Sequence, residues 1–426
     1  MKRNPIFIHR LNGGCRLVLN GLLFVLMMMM VLPVSGCQST EETTASVAAY
    51  GTYGSELAKQ LAADYPYRSP GSEQETAAGD FLIDSLKALG YQPVVTTFNF
   101  QDASGQTLTS RNIAVTIQGR GFTVTDKDGK TGKADHQVII GAHYDTKISA
   151  ADAAAAQQTA GTAAAGETAA AAEPTLADCD GIHDNASGVG ALMTLAKQLR
   201  SESLGYDVVL VAFGAGEAAQ AGSADYAAQM SAADLTRTDA MYCLDSIYAG
   251  DKIYAHAGRN SLKAGYQKDY EKRRKLYEVT DVFYDNELYT KNNYMLYTNQ
   301  SSIDVTVEGI EGSVLYREWT LTASDYLPFD TKGIPIVFFE SYDYDEKTLE
   351  EMKESNNPAF ATTGGAIRHT CFDSTRYLTQ ILTQTRSTAP TDSAAVTIDQ
   401  LTKRINNTAF IILEAIRKGM TGAAVN

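Results

Sequence analysis

Histidine, cysteine and tryptophan are scarce in this chain of 426 residues, which holds six, five and one of them respectively. Cysteine is too sparse for a disulfide scaffold, and a chain this long needs none, since it can bury a large core or build roughly two to three domains. Basic charge is also short: 36 Lys and Arg stand against 50 Asp and Glu, for a net charge of −14. That deficit argues against nucleic acid as a partner, because neutralising phosphates takes clustered Lys and Arg. The remaining composition, 44% hydrophobic and 20% charged, is that of a globular protein. With only six histidines, any that are catalytic should be identifiable by their neighbours.

What is present begins at the N-terminus. Lys2, Arg3, Arg10 and Arg16 precede an apolar run over 17–32, the layout of a secretory signal. The run ends in Val34-Ser35-Gly36-Cys37 and resembles the lipobox of bacterial lipoproteins, in which the cysteine becomes the lipidated first residue. The expectation is a signal peptide over 1–36, an acyl anchor on Cys37, a hydrophilic tether over 37–54 and a folded domain over 55–426. Cleavage removes four basic residues and no acid, so the net charge moves from −14 to −18. Such a protein is secreted across the cytoplasmic membrane and held at the cell surface or in the periplasm. Cys179, Cys243 and Cys371 remain, and either two of them pair or all three are buried thiols.

Beyond residue 55 helical and strand-like patterns alternate. Phe81, Leu82, Leu86 and Leu89 line one side of a helix over 73–89, and Val189, Leu192, Met193, Ala196 and Leu199 do so over 186–199. Short apolar runs over 112–117, 138–142, 208–213, 240–244 and 334–339 read as buried strands, and a last amphipathic helix covers 398–418. This alternation predicts a three-layer α/β/α sandwich with a mostly parallel central sheet, whose ligands sit beyond the carboxyl ends of the strands. Two stretches interrupt it. The segment 150–178 is alanine-rich, with 14 alanines in 150–174, has no apolar face and reads as a mobile surface insertion. The segment 258–322 holds eight tyrosines and Trp319, and reads either as a cap lining a pocket or as a hairpin extension.

Potential metal ligands follow several strands. His143 comes after the second run with Asp145 two residues on, and Asp184 opens the Asp-Asn-Ala-Ser-Gly segment before the second helix. Glu217 follows the run over 208–213, Asp245 follows 240–244, and His369 opens His-Thr-Cys-Phe-Asp. Taken alone, Asp184 would be a helix cap and His143 a surface group. Together, two imidazoles and three carboxylates suit zinc, and one bridging carboxylate divides them into two sites of three protein ligands.

This order of motifs resembles the di-zinc aminopeptidase family, which also contains glutamate carboxypeptidase II and the glutaminyl cyclases. Ser324-Asp325-Tyr326 and Gly333-Ile334-Pro335 match its pattern as well. The resemblance implies two zinc ions, one on His143, Asp184 and Asp245 and the other on Asp184, Glu217 and His369. It places Asp145 behind His143 and implies a peptide substrate. Active members carry two consecutive glutamates after the strand, the first taking a proton from the attacking water; here that pair is Gly216-Glu217. His183 is a second departure, either a supporting histidine or a substitute base, and Glu167, Glu173 and Asp178 are further substitutes to consider. Three functions fit: a lipid-anchored zinc exopeptidase weakened by the missing base, a peptide-binding pseudoenzyme that holds metal, and a glutaminyl cyclase-like enzyme. If only the base is missing, Gly216→Glu should raise activity.

Overall fold

In the computed structural model the described residues are 47–163, 174–258, 267–298, 303–306, 313–316, 320, 322–346, 351–387 and 399–426. The signal peptide, Cys37, Glu167, Glu173 and Trp319 lie outside them. The strands are β1 (Val94–Gln101), β2 (Thr107–Ile117), β3 (Phe122–Thr125), β4 (Thr131–Ala134), β5 (Gln137–His143), β6 (Asp207–Phe213), β7 (Thr238–Leu244), β8 (Lys252–His256), β9 (Leu296–Thr298), β10 (Ile303–Thr306), β11 (Ser313–Tyr316), β12 (Ile336–Tyr342) and β13 (Ala423–Val425). The helices are α1 (Tyr53–Asp64), α2 (Glu73–Ala88), α3 (Ala150–Ala163), α4 (Ser187–Leu199), α5 (Ala221–Gln229), α6 (Ala232–Arg237), α7 (Gln267–Asp285), α8 (Leu288–Lys291), α9 (Leu327–Thr331), α10 (Thr375–Ser387) and α11 (Gln400–Arg417).

Eight strands form one sheet in the order β1-β2-β6-β5-β7-β12-β8-β9. Its centre, β6-β5-β7-β12, is parallel, and the pairs β1-β2, β2-β6 and β12-β8 are antiparallel. Every residue of β5 is buried, as a strand covered on both faces requires. The alternation of side chains divides the core in two. Val138, Ile140, Leu210, Tyr242 and Val337 pack with α1, α2, α4 and α11, while Ile139, Val211, Phe213, Met241 and Phe338 pack with α5 and α9 on the other face. The result is the expected three-layer sandwich.

Four local expectations change. The fold starts before residue 55: Val47 and Tyr50 are buried in a 3-10 turn, and Tyr53 opens α1, because their apolar side chains find the groove beside α11. The strand read over 334–339 runs Ile336–Tyr342, with Ile334 packed in the preceding turn. The described part of the alanine-rich segment is a helix, α3, whose start is held by reciprocal Ser149 and Asp152 hydrogen bonds. Alanine propensity and that capping favour the helix, and it packs through the buried Ala153 near the turn Leu176–Asp178. In the tyrosine-rich segment α7 is a packed amphipathic helix, with Leu276, Val279, Val282 and Phe283 in the core against α11. The β10-β11 pair is a hairpin, and none of the segment's described residues lines the metal pocket.

Candidate metal centre

Parallel strands carry their carboxyl ends to one edge, and that edge is the site. His143 is the last residue of β5, Asp245 the first after β7, and Glu217 stands four residues beyond β6. The segment Ile182–Ala186 before α4 supplies Asp184, and the loop before α10 supplies His369, in the left-handed region at φ +61. His143 Nε2 lies 3.3 Å from Asp184 Oδ1 and 3.5 Å from Asp245 Oδ1. His369 Nε2 lies 3.0 Å from Asp184 Oδ2 and 2.8 Å from Glu217 Oε1. Asp184 therefore presents one oxygen to each group, as the bridging reading requires.

The spacing fits zinc. Two donors each bonded at ~2.0–2.1 Å to one tetrahedral ion stand about 3.3 Å apart, and the contacts within each triad run from 2.8 to 3.5 Å. Nitrogen and carboxylate donors of this mixture are those zinc prefers. Desolvation opposes charge on His369, but the hydrogen bonds it donates to the Asp184 and Glu217 carboxylates outweigh it and push its pKa up to about 10. Burial and the Asp184 charge push Glu217 up to about 7. Protons and a divalent cation compete for the same lone pairs here.

The loop carrying Gly216 is held by carboxylates from below. Asp145, wholly buried, accepts from the Gly216 amide at 2.7 Å and the Glu217 amide at 2.9 Å. It also approaches His143 Nδ1 at 3.5 Å, but that nitrogen makes no hydrogen bond. Asp145 thus fixes the loop more firmly than it fixes the imidazole. Glu75 of α2 accepts from the Ala215 amide at 2.7 Å. Gly216 is pressed against His143: a Cβ built on it would lie 2.4 Å from the His143 Cβ and 2.6 Å from its Cγ.

His183 is not a base. Its Nδ1 accepts from the Ala249 amide at 3.2 Å, so Nε2 carries the proton and donates to Glu354 Oε1 at 2.9 Å, and the ring is 0% exposed. Both nitrogens are occupied, which leaves only the supporting role. Asp178 is outside the site too, paired with Arg376 at 2.6 Å. His136 pairs with Asp239 and His256 stands 2.8 Å from Glu340. The three cysteines are free thiols, with Cys179 and Cys243 buried.

Several functional neighbours escaped the sequence reading. Arg68, 0% exposed, donates to the carbonyls of Tyr144, Asp180 and Gly181, tying the loop after β5 to the one before Asp184. Asp373 accepts from the His183 and Asp184 amides. Ser324 donates to Asp245 Oδ2 at 2.6 Å. Arg368 and Asp325 line the pocket with the ligands. Asp325 is 1% exposed, and burial outweighs the His143 charge and a hydrogen bond from Ser223 to push its pKa up to about 7. Its Ser-Asp-Tyr motif was visible in sequence; its burial beside the ligands was not.

Comparison with known proteins agrees with this geometry. The alkaline phosphatase isozyme conversion protein of Escherichia coli (strain K12) is 28% identical over 215 residues, 50% of this chain and 56% of that protein. The chain thus spans little more than half the length of that relative. Among solved structures, the zinc aminopeptidase BSAP from Bacillus subtilis has a TM-score of 0.52 at 13% identity, with 86% of this chain and 94% of that one covered. A glutaminyl cyclase from Porphyromonas gingivalis has a TM-score of 0.53 at 16% identity, with 88% and 99% covered. Identities this low carry the fold alone. Residues 124–388, more than half of the chain and a span that takes in every ligand from His143 to His369, match Peptidase family M28, and the chain belongs to that family.

Proposed function

We propose that this chain is a zinc-dependent exopeptidase, acting as an aminopeptidase on peptides, and that Asp325 takes the role left open at Gly216. The observation that carries this reading is the pocket itself: two triads share Asp184, and among the carboxylates lining the pocket Asp325 alone belongs to neither. Zinc, when bound, acidifies water and polarises the scissile carbonyl. The protein's own groups do the rest. Asp184 orients both triads from one carboxylate, and Ser324 and Ser246 hold Asp245 from its two oxygens. Asp325, buried beside both triads and raised in pKa, accepts the proton of the attacking water and returns it to the departing amine. Two triads favour this reading over a cyclase-like reaction at one zinc, and a buried carboxylate outside both triads favours it over a pseudoenzyme.

Purified protein supplied with zinc should release N-terminal residues from a panel of peptides, and a chelator should abolish the release. No chelator-sensitive release from any peptide would overturn the proposal.

The same reading places the enzyme outside the cytoplasmic membrane, anchored through Cys37. The lipobox-like Val34-Ser35-Gly36-Cys37 after a charged and then apolar N-terminus supports it. Cells fed labelled palmitate should label the protein, and Cys37→Ser should release it from the membrane fraction. An unlabelled protein would refute the anchor.

A further inference from the structure

His183 and Arg368 flank the ligands Asp184 and His369, and one buried carboxylate joins them. Glu354 Oε1 accepts from His183 Nε2 at 2.9 Å and from Arg368 Nε at 2.8 Å. Its Oε2 accepts from the amides of Ile367 at 2.6 Å and Arg368 at 2.9 Å. Burial alone would raise the Glu354 carboxyl, but the Arg368 charge and the His183 hydrogen bond hold it down at about 2. Through this chain of contacts the Arg368 side chain is locked at both its backbone and its Nε.

The rest of the guanidinium is not used up. A guanidinium has five N–H donors in a planar fork, and Glu354 takes one. Nη1 stands 3.7 Å from Asp245 Oδ1, beyond hydrogen-bond distance, and Asp245 is already served by Ser246 and Ser324. Nη2 is buried with no hydrogen-bond partner among the described residues. The Arg368 side chain is 16% exposed where it lines the pocket beside the ligands, and unspent guanidinium donors there favour an anionic partner.

We infer that Arg368 is a specificity-determining residue that binds a carboxylate of the substrate close to the scissile carbonyl, supplied by the free C-terminus of a dipeptide or by an acidic side chain. The inference rests on the metallopeptidase reading for the word substrate, but binding tests it apart from turnover. His183 acts through Glu354 as a positioning residue, which accounts for a histidine directly before the bridging aspartate.

Three acetylated probes separate the sources: N-acetylalanine carries an α-carboxylate, N-acetylglutamic acid α-amide a side-chain carboxylate, and N-acetylalaninamide neither. Calorimetric Kd values for the zinc-loaded protein should favour one or both anionic probes over the neutral amide by about tenfold or more, the yield of one charge-assisted contact. Arg368→Gln should erase that preference with zinc content unchanged, and Arg368→Lys should keep part of it. If the parent protein shows no preference, the inference fails whether or not any variant folds. It fails too if Arg368→Gln retains the preference, since the metals would then be holding the carboxylate, or if the substitution weakens neutral and anionic probes alike. Absence of peptidase activity alongside an Arg368-dependent preference would overturn the exopeptidase reading and leave this one standing.

Discussion

Asp325→Asn lowers kcat by about 10²- to 10⁴-fold, the range a positioned general base contributes, while zinc content stays at the parent value. Asparagine has nearly the same shape but cannot accept the proton, so the packing around the side chain is preserved. The pH profile supplies a second readout. Burial raises the Asp325 pKa to about 7, so activity of the parent should rise with pH as the carboxylate ionises, and a neighbouring divalent cation would move that limb to lower pH. Stability moves the opposite way. A folded-state pKa above the ordinary carboxylate value means the native state keeps a proton that the unfolded chain has lost. The stability this group contributes is therefore present below about pH 4 and is lost as pH rises toward 7. In chelator-treated protein at pH 8, Asp325→Asn should accordingly melt above the parent. A variant that keeps full activity would remove Asp325 from the reaction; one that loses activity and melts lower would make it a structural residue.

Gly216→Glu does not create a better enzyme. Family resemblance suggests that a glutamate here restores the base, but the structure leaves no room for its Cβ, 2.4 Å from the His143 Cβ. The obstructing atoms are the root of the His143 side chain on β5, not the tip of a flexible one. They cannot give way without moving a metal ligand. The Gly216 amide is also committed to Asp145 at 2.7 Å, so shifting the loop instead loosens the carboxylate that holds Glu217. Overpacking of this kind costs about 1–3 kcal/mol, and disturbing the groups behind a ligand lowers metal affinity about 10- to 100-fold. Zinc content measured after dialysis should fall, melting temperature should drop, and turnover should stay at or below that of the parent. Gly216→Ala, which adds the same Cβ without a carboxylate, should reproduce the loss of zinc. A Gly216→Glu protein that keeps its zinc and gains activity would show that the loop yields, and would return the missing base to the centre of the mechanism.

The two substitutions together explain why a glycine at this position is tolerable. The loop after β6 closes onto His143 and is sewn there by Asp145 and Glu75, and on the proposed reading the proton acceptor is Asp325, on the turn before α9.

Much of this was legible along the chain. Apolar runs of strand length between helical periodicities announce a parallel sheet, because a strand covered on both faces is apolar along most of its length, as β5 is between Gln137 and His143. His143, Glu217 and Asp245 could be read because parallel strands deliver their carboxyl ends to one edge, so each follows its strand within a few residues; Asp184 and His369, on the loops before α4 and α10, were legible only from the order of motifs that resembles the family. Local readings failed where two effects compete within a segment. The tether expected through residue 54 ended early, since Val47 and Tyr50 are few but reach a groove. The alanine-rich stretch was read by its lack of an apolar face, when backbone propensity, a cap and the buried Ala153 favour α3.

What the sequence by itself determined, then, is the sandwich, the five ligands and their order, and the glycine where a base is expected; these depend on residue type and on spacing along the chain, both of which are written in one dimension. Only the tertiary structure decided the contacts of His183, Glu354, Arg368 and Asp325. His183 and Glu354 are 171 positions apart, and whether an imidazole is a base or a brace depends on which atoms occupy its two nitrogens. Asp325 sits in a motif any reader could find, but its raised pKa comes from burial, which is a property of the space around it.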